Sequence, residues 1–509
     1  MAYSQTDSLK FSVSDIFKDE KYKTTLLFAK EDKNGDVFVV RNYYSSVSSP
    51  KGYYVEHYNG ELKLLKRTTV EINRNEIKGL FLTDDSVVLL QFQYNYKQKN
   101  YAFATLTSPK NDFNFTEKEV YSIDRNRLNK YENFGIRSEP EYNKHISNNL
   151  GDIVESQNGE FITLNLFTKS KESDALLVIT FNRNFEKVYE YEFQNVISPN
   201  ETANIKLPLE YQNMVLDNNG KVFLLGRVFK NVDKKLEKNY IPDYYFILFS
   251  GDVVSKKQEI IPVESINIIR SLQLVTTDDN LAAVGLYAET AKIGLFSLPT
   301  GERYDGVVRF DLDLRTMEKL SESFQPFPEE FMIEKYGKVK ENIKSFLTYR
   351  SIFMLENGDI FLNAEEFEMP FMDDFTIANR IYRDIITCRI SNNGGLTWAK
   401  NFKKRQSALT LNNIPFLSFS STVKNNVAYY FVNAASDLRL KNDQVEFKDG
   451  PRLYLLKVSE TGEFTHEKVL YPNIYNAHLG LRFGVLINQS DTLVQAASDG
   501  KPVLVKLFF

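Results

Sequence analysis

The stretch Leu26-Leu27-Phe28-Ala29 leads through the turn residues Asn34-Gly35 into a second apolar run, Val37-Phe38-Val39-Val40. Two apolar runs joined by Asn-Gly predict an antiparallel β-hairpin, because both residues tolerate the positive φ angles of a tight turn. The pattern returns seven more times, about 50 to 80 residues apart. The later copies turn at Asp84-Asp85, Asn158-Gly159, Asn219-Gly220, Asp278-Asp279, Asn357-Gly358, Asn425-Asn426 and Ser490-Asp491.

A second hairpin follows most of these copies. After the first copy, Tyr53-Tyr54-Val55 leads through Asn59-Gly60 to Leu62-Lys63-Leu64-Leu65. Each unit therefore holds four antiparallel strands, which is one blade of a β-propeller. A blade buries its apolar faces only against its neighbours, so the repeats must stack into a ring. The sequence predicts an all-β, eight-bladed β-propeller over residues 1–509 as one domain, with seven blades or two smaller propellers as the alternatives.

The eighth copy supplies only three strands and ends in the apolar run from Pro502 to Phe509. The missing strand is predicted at the other end of the chain, where Ser8–Val13 alternates apolar and polar residues. Residues 1–17 are thus predicted to close the last blade. A helical insert is predicted within residues 320–349, where the apolar residues have mixed helical spacing broken near Gly337.

The long connections all fall between the second and third strands of a repeat, or between one repeat and the next. Segments 230–243, 364–383 and 122–150 are examples. These connections meet on one face of a propeller, and function concentrates in long irregular segments on a rigid scaffold. We therefore predict a binding surface there. The residues predicted to form it belong to the most acidic connection: Glu365, Glu366, Glu368, Asp373, Asp374, Arg380, Tyr382 and Arg383.

These carboxylates admit three interpretations. Paired carboxylates act as acid and nucleophile on glycosides, and carboxylate oxygens also bind calcium, although no EF-hand spacing is present. A solvated loop with local ion pairs is the default. The four histidines are scattered and Cys388 is alone, so no metal site, disulfide or cofactor is predicted. The net charge of −4 argues against nucleic acid. No apolar run is long enough for a transmembrane helix.

Two resemblances to known families refine this picture. The run Ser391–Trp398 resembles the Asp-box of several propeller families, with Asn393 in place of the aspartate. The resemblance implies a hairpin between the two outer strands of a blade, away from any active site. Residues 351 to about 440 resemble exported propeller-like proteins of Bacteroidota, through Asn357-Gly358-Asp359, Ala364-Glu365, Tyr382-Arg383-Asp384-Ile385, Trp398 and Lys404-Arg405-Gln406. That resemblance implies the cell envelope and, by extension, an accessory or plug subunit of the type 9 protein translocon.

The opening residues Ala2-Tyr3-Ser4-Gln5 look like those left beside a signal-peptide cleavage site, which favours a periplasmic or otherwise exported protein. A cytoplasmic protein with a native start is the alternative. The combined prediction is a non-catalytic envelope scaffold that binds a protein partner, such as a membrane complex, or a glycan. The alternative function is a carbohydrate-active hydrolase or lyase with carboxylates at the channel mouth.

Overall fold

The computed structural model of the protein describes residues 9–17, 23–46, 49–72, 75–128, 150–169, 174–194, 209–229, 243–265, 267–288, 302–368, 380–408, 416–441, 444–469, 477–488, 490–498 and 501–509. β-Strands dominate these residues, which confirms the predicted all-β class. The helical elements among them include α1 (Glu329–Tyr336) and two 3₁₀ turns (Arg125–Arg127 and Leu481–Phe483).

Seven blades share one plan, in which four antiparallel strands follow one another in chain order. Blade 1 holds β2 (Lys23–Glu31), β3 (Val37–Ser46), β4 (Ser49–Tyr58) and β5 (Leu64–Glu71). Blade 2 holds β6 (Asn75–Leu82), β7 (Ser86–Asn95), β8 (Asn100–Pro109) and β9 (Thr116–Asp124). Blade 3 holds β10 (Leu150–Glu155), β11 (Phe161–Lys169), β12 (Asp174–Asn182) and β13 (Lys187–Gln194). Blade 4 holds β14 (Glu210–Leu216), β15 (Val222–Phe229), β16 (Tyr244–Gly251) and β17 (Lys256–Ile260).

Blades 5 to 7 follow the same plan, and the sheet of blade 6 carries additional strands. Blade 5 holds β18 (Ile268–Thr276), β19 (Leu281–Ala288), β21 (Gly306–Leu312) and β22 (Lys319–Pro326). Blade 6 holds β23 (Ile343–Met354), β24 (Ile360–Glu368), β25 (Arg380–Ile390) and β26 (Leu396–Phe402), and blade 7 holds β28 (Phe419–Lys424), β29 (Val427–Ala434), β32 (Arg452–Val458) and β33 (Phe464–Lys468). The sheet of blade 6 is extended by β20 (Glu302–Tyr304), β27 (Lys404–Ala408), β30 (Arg439–Lys441) and β31 (Gln444–Lys448).

The remaining sheet joins the two ends of the chain. It contains β1 (Lys10–Val13), β34 (His478–Leu479), β35 (Val485–Leu486), β36 (Thr492–Ser498) and β37 (Lys501–Phe508). The first strand pairs antiparallel with the last, from Lys10 opposite Phe508 to Val13 opposite Val505, which confirms the predicted pairing.

The prediction of eight equal four-stranded blades is not confirmed, and the regular four-stranded blades among the described residues number seven, as in the alternative. In the terminal sheet, the position of the inner strand is taken by two two-residue pieces, β34 and β35. Gly480 and Gly484 flank the 3₁₀ turn that separates the pieces. The chain packs closely at this break, since a Cβ on Gly484 would lie 2.2 Å from the Ser420 hydroxyl of blade 7.

The hydrophobic core is divided among the interfaces between neighbouring sheets. Phe38 and Val40 of blade 1 pack with Leu80 and Leu89 of blade 2, for example. The terminal sheet packs on blade 7 through one cluster and on blade 1 through another. Fully buried Val, Leu, Ile and Phe side chains contribute about 1.5–3 kcal/mol each. Stability therefore depends on contacts between sheets that lie far apart in sequence.

The Asn-Gly turns form by a different geometry from the one expected. Gly35 has φ 83°, but Asn34 does not have a positive φ, so only the glycine adopts the left-handed conformation. Asp32 completes the turn, because its Oδ1 accepts hydrogen bonds from the backbone N–H groups of Asn34 and Asp36. This is a three-residue hairpin loop with glycine at the bulge position. Asn425-Asn426 alone among the eight predicted turns shows two consecutive positive φ angles in the described residues.

The Ser391–Trp398 run forms the hairpin between β25 and β26, the two outer strands of blade 6. Gly394 has φ 86°, and Asn393 Oδ1 accepts a hydrogen bond from the backbone N–H of Gly395 at 3.1 Å. The Trp398 indole packs against Gly462 of blade 7, where an added Cβ would lie 2.8 Å from the ring. The run therefore acts structurally, by fixing the contact between two blades.

The two faces of the propeller differ in the length of their connections. The turn face carries the connections between first and second strands and between third and fourth strands, which are short, as at residues 32–36 and 252–255. The long-connection face carries the other connections, such as residues 327–342, which include α1, and residues 435–441 and 444–451, which include two further strands. Residues 96–99 form a short connection on the same face. The predicted helical insert on this face is confined to α1, because the flanking residues form β22 and β23.

Candidate binding face

The predicted acidic loop is largely sheet. β24 continues to Glu368 and β25 begins at Arg380, so Glu365 and Glu366 lie on a strand. Both side chains are buried. The expectation of a solvated loop is therefore wrong for these two glutamates. Nothing in the local sequence indicated this burial, because burial of Glu side chains is rare unless they are paired. Asp373 and Asp374 lie outside the described residues, as does the side chain of Arg380.

Glu365 lies in a fully buried ion pair. Its Oε1 is 2.6 Å from the Lys404 Nζ, and both side chains are completely buried. Ser418 donates its hydroxyl to Oε2 at 2.5 Å, and the Arg350 Nε lies 3.8 Å from the same oxygen. Burial lowers the pKa of the Lys404 ammonium below its usual value, while Glu365 opposes that shift. These contacts join blade 6 to the start of blade 7.

Glu366 meets a different set of partners. The Lys335 Nζ, on helix α1, lies 2.8 Å from Glu366 and 3.2 Å from Asp384. Burial alone would lower the pKa of Lys335, but the two carboxylates outweigh burial and raise it above its usual value. Burial raises the pKa of Glu366, and Lys335 partly offsets that shift. The helix is thus fastened to blade 6 by a charged side chain.

We expect this helix contact to weaken at alkaline pH. A lysine whose pKa is raised by folding contributes stability that is complete below its unfolded value, near 10.5, and is lost as pH rises towards the folded value. Replacing Lys335 by Met should cost about 2 kcal/mol at pH 7. The difference between wild type and variant, from denaturant unfolding at pH 7 to 11, should stay constant to about pH 10 and then shrink. A difference that grows above pH 10 would contradict this assignment.

The remaining predicted residues with described side chains are Glu368, Arg383 and Tyr382. Glu368 and Arg383 form a bidentate ion pair at 2.7 and 2.9 Å, with both side chains partly exposed. Tyr382 is fully buried, and its hydroxyl oxygen accepts a hydrogen bond from Arg482 Nη1 at 2.5 Å. The backbone oxygen of Arg482 accepts one from Arg350 at 2.9 Å. This bridge ties blade 6 to the terminal sheet.

The arrangement is suited to holding blades together and is unsuited to glycoside chemistry by Glu365 and Glu366. A hydrolytic pair needs two carboxylates that face one substrate. Here each carboxylate is committed to its own lysine, and the two lysines belong to different elements. Among the described residues, no group of three or more His, Cys, Asp or Glu side chains is placed to hold a metal ion.

A second feature of the long-connection face was not predicted from sequence. Tyr94 on β7 and Tyr101 on β8 lie directly opposite each other, with ring centroids 4.9 Å apart. Tyr96, at the hairpin tip, packs edge-on against Tyr94 at 4.6 Å and is 59 % exposed. Tyr101 in turn stacks on the buried ring of Phe92, with ring centroids 5.2 Å apart, so the cluster is continuous with the core. The only signal was the alternation Tyr94-Asn95-Tyr96, which is common in strands.

Arg125, in the 3₁₀ turn after blade 2, completes this cluster. Its Nη1 lies 3.4 Å from the Tyr94 hydroxyl, and its guanidinium lies 5.7 Å from the centre of the same ring. The hairpin tip is ordered by Asn95, whose Oδ1 accepts hydrogen bonds from the backbone N–H groups of Lys97 and Gln98. We call Tyr94, Tyr96, Tyr101 and Arg125 the tyrosine cluster. The tyrosine cluster presents aromatic rings and one guanidinium on a hairpin whose turn is ordered by hydrogen bonds.

No protein-family model matches the chain, and no curated protein matches it. Solved structures do resemble it at low identity. They include the β-propeller domain of the Trilobed protease from Pyrococcus furiosus (8 % identity, covering 90 % of this chain and 97 % of that chain, TM-score 0.34). Polysaccharide lyase Uly1 (11 %, 94 % and 89 %, 0.40) and a DUF4221 family member from Bacteroides vulgatus (10 %, 90 % and 97 %, 0.34) are also similar. With TM-scores below 0.5, these similarities support no conclusion about activity.

None of the helices in the described part of the chain is long and apolar enough to cross a membrane.

Proposed function

We propose that this protein is a non-catalytic scaffold that binds a protein partner on its long-connection face. The observation that carries the proposal is the contrast between the two faces. The turn face is built from short, regular loops, whereas the long-connection face bears extra strands, a helix and the exposed tyrosine cluster. Tyr and Arg are enriched among the residues that anchor protein interfaces. A propeller face is wide enough for an interface of about 1,600 Å² in total.

The alternative of a hydrolase or lyase loses its strongest sequence support. It rested on carboxylates at the channel mouth, and Glu365 and Glu366 are instead buried in ion pairs. Binding of a glycan in place of a protein is one possible result of the binding experiment described below.

The cellular setting is part of the proposal and has separate support. We place the protein in the cell envelope as an accessory of a secretion machine such as the type 9 translocon. The support is the resemblance of residues 351 to about 440 to exported propeller-like proteins. Fractionation of the cells that make the protein tests this placement, since recovery from the cytosol alone would oppose it.

The binding face is tested by photo-crosslinking from single positions in the full chain. Tyr96 and Leu440 are exposed on the long-connection face, and Val254 is exposed on the turn face. A photo-reactive residue is introduced at each position in turn, and cells are irradiated. We expect a discrete protein adduct from at least one long-connection position and none from Val254. Adducts from Val254 alone, or from no position, would overturn the proposal.

A further inference from the structure

We infer that the tyrosine cluster is the docking site for an acidic segment of the protein partner. The inference rests on the proposed function and names the chemistry of what that face binds. Its first support is exposure: Tyr96 is 59 % exposed and flanks the polar tip of a hairpin. Aromatic rings that remain exposed while joined to a packed aromatic core are typical anchors for a partner.

The second support is the local charge. Lys97 and Lys99 are exposed at the hairpin tip, and the backbone N–H of Arg125 donates to the Lys99 carbonyl at 3.3 Å, so the adjoining turn lies against the tip. Arg125 adds a third cation. The chain as a whole carries a net charge of −4, so a cationic tip stands out from the average surface. Complementary charge steers association and selects partners.

The described acidic residues near this tip make local contacts. Asp124 caps the 3₁₀ turn by accepting the Asn126 N–H at 2.7 Å. Glu192 lies 3.6 Å from Arg127. Glu117 accepts from Gln93, whose side chain points to the opposite face of β7 from Tyr94, because alternate residues of a strand face opposite ways. Among the described residues at this tip, the three cations Lys97, Lys99 and Arg125 therefore outnumber the one exposed carboxylate, Asp124, and leave a net positive charge.

The hairpin tip is also held in one conformation by its own hydrogen bonds. Asn95 holds the turn by two backbone hydrogen bonds at 3.1 and 3.2 Å, and its amide donates to Gln98 at 3.1 Å. Tyr94 and Tyr101 are fixed opposite each other by the strand register. A site that is ordered before binding loses less conformational freedom when it binds. An acidic peptide segment with an apolar or aromatic residue matches both the rings and the cations.

The inference is tested with a copolymer of glutamate and tyrosine as the acidic peptide probe and polygalacturonate as the acidic glycan probe. Binding to the full-length protein is measured by calorimetry. We expect the copolymer to bind, with affinity falling as salt rises from about 50 to 300 mM because the contacts are ionic. The Tyr96→Ala variant should bind at least about tenfold more weakly. Arg125→Gln should weaken binding and reduce the salt dependence. Val254→Ala, an exposed control on the turn face, should bind as the wild type does.

Several results would overturn the inference. They are no binding of the copolymer, equal binding by the Tyr96→Ala and wild-type proteins, or stronger binding of polygalacturonate that Tyr96→Ala abolishes. The experiments distinguish a failure of the acidic docking site from a failure of the proposed function. If Leu440 yields a protein adduct by crosslinking while the copolymer does not bind, the binding face stands and the acidic docking site does not.

Discussion

Removal of residues 1–17 is expected to lower the free energy of unfolding by about 5 kcal/mol. The described part of this segment contributes β1, which covers one edge of β37. It also contributes Ser14, which exchanges hydrogen bonds with the backbone of Leu504 at 2.9 and 3.0 Å. Without this segment, β37 would present an unpaired edge to solvent and to other copies of the chain.

Phe17 adds a contact that reaches blade 1. Its ring is buried and lies 3.8 Å from the guanidinium of Arg41, which is itself fully buried and paired with Glu56 at 2.7 Å. Burial of a Phe side chain contributes about 1.5–3 kcal/mol, and a cation–π contact away from water contributes up to about 2 kcal/mol. The segment therefore links the terminal sheet to blade 1 as well as completing the sheet.

The comparison is made by denaturant unfolding of the full-length and shortened proteins. Lys10→Ala is the matched control, since Lys10 lies on the same strand but its side chain is exposed, and its effect should stay within about 0.5 kcal/mol. Phe17→Ala tests the blade 1 contact alone and should cost about 3 kcal/mol. Equal unfolding midpoints for the full-length and shortened proteins would show that the ends do not hold the structure together.

Glu365→Ala is expected to cost about 3–5 kcal/mol, because it leaves Lys404 fully buried without its carboxylate. Lys404 retains one hydrogen bond, to Gln406 at 3.1 Å, which does not neutralise its charge. Burial already lowers the pKa of this ammonium group, and loss of Glu365 removes the main interaction that opposes the shift. The variant lysine should therefore release its proton more readily.

Glu368→Ala is the control for this experiment. Glu368 lies on the same strand and also forms an ion pair, but that pair with Arg383 is partly exposed. Exposed ion pairs contribute about 0–1 kcal/mol. The double variant Glu365→Ala with Lys404→Met should recover much of the loss, since no buried charge is left alone. If Glu365→Ala and Glu368→Ala cost the same, the buried pair is not a main contributor to stability.

The acidic stretch shows how far sequence could go. The run Ala364-Glu365-Glu366 follows an apolar strand, and its charges suggested that the strand had ended. The structure extends the strand to Glu368, because lysines from α1 and β27 neutralise the two glutamates. Neither lysine is near the glutamates in sequence. No local sequence pattern indicates an ion-pair partner that lies 30 or 40 residues away. The stretch was therefore predicted, wrongly, to be a solvated loop.

The tyrosine cluster was missed for a related reason. Tyr94, Tyr96 and Tyr101 fit the pattern of any half-buried hairpin, and that pattern does not show that Tyr96 stays exposed at the tip. Arg125 contacts Tyr94 because the 3₁₀ turn after β9 brings it next to the hairpin tip. The sequence therefore showed the strands of this hairpin but not the tyrosine cluster that they form.

The sequence alone determined the repeating hairpins, the all-β class and the pairing of the chain ends, because alternation of apolar residues and turn chemistry act over a few residues. Only the tertiary structure decided which charges are buried and which rings stay exposed. It also decided that the terminal sheet departs from the four-strand plan, through the 3₁₀ turn between Gly480 and Gly484. These features depend on contacts between sheets distant in sequence, and the energy of burying a charge or a ring is set by those contacts.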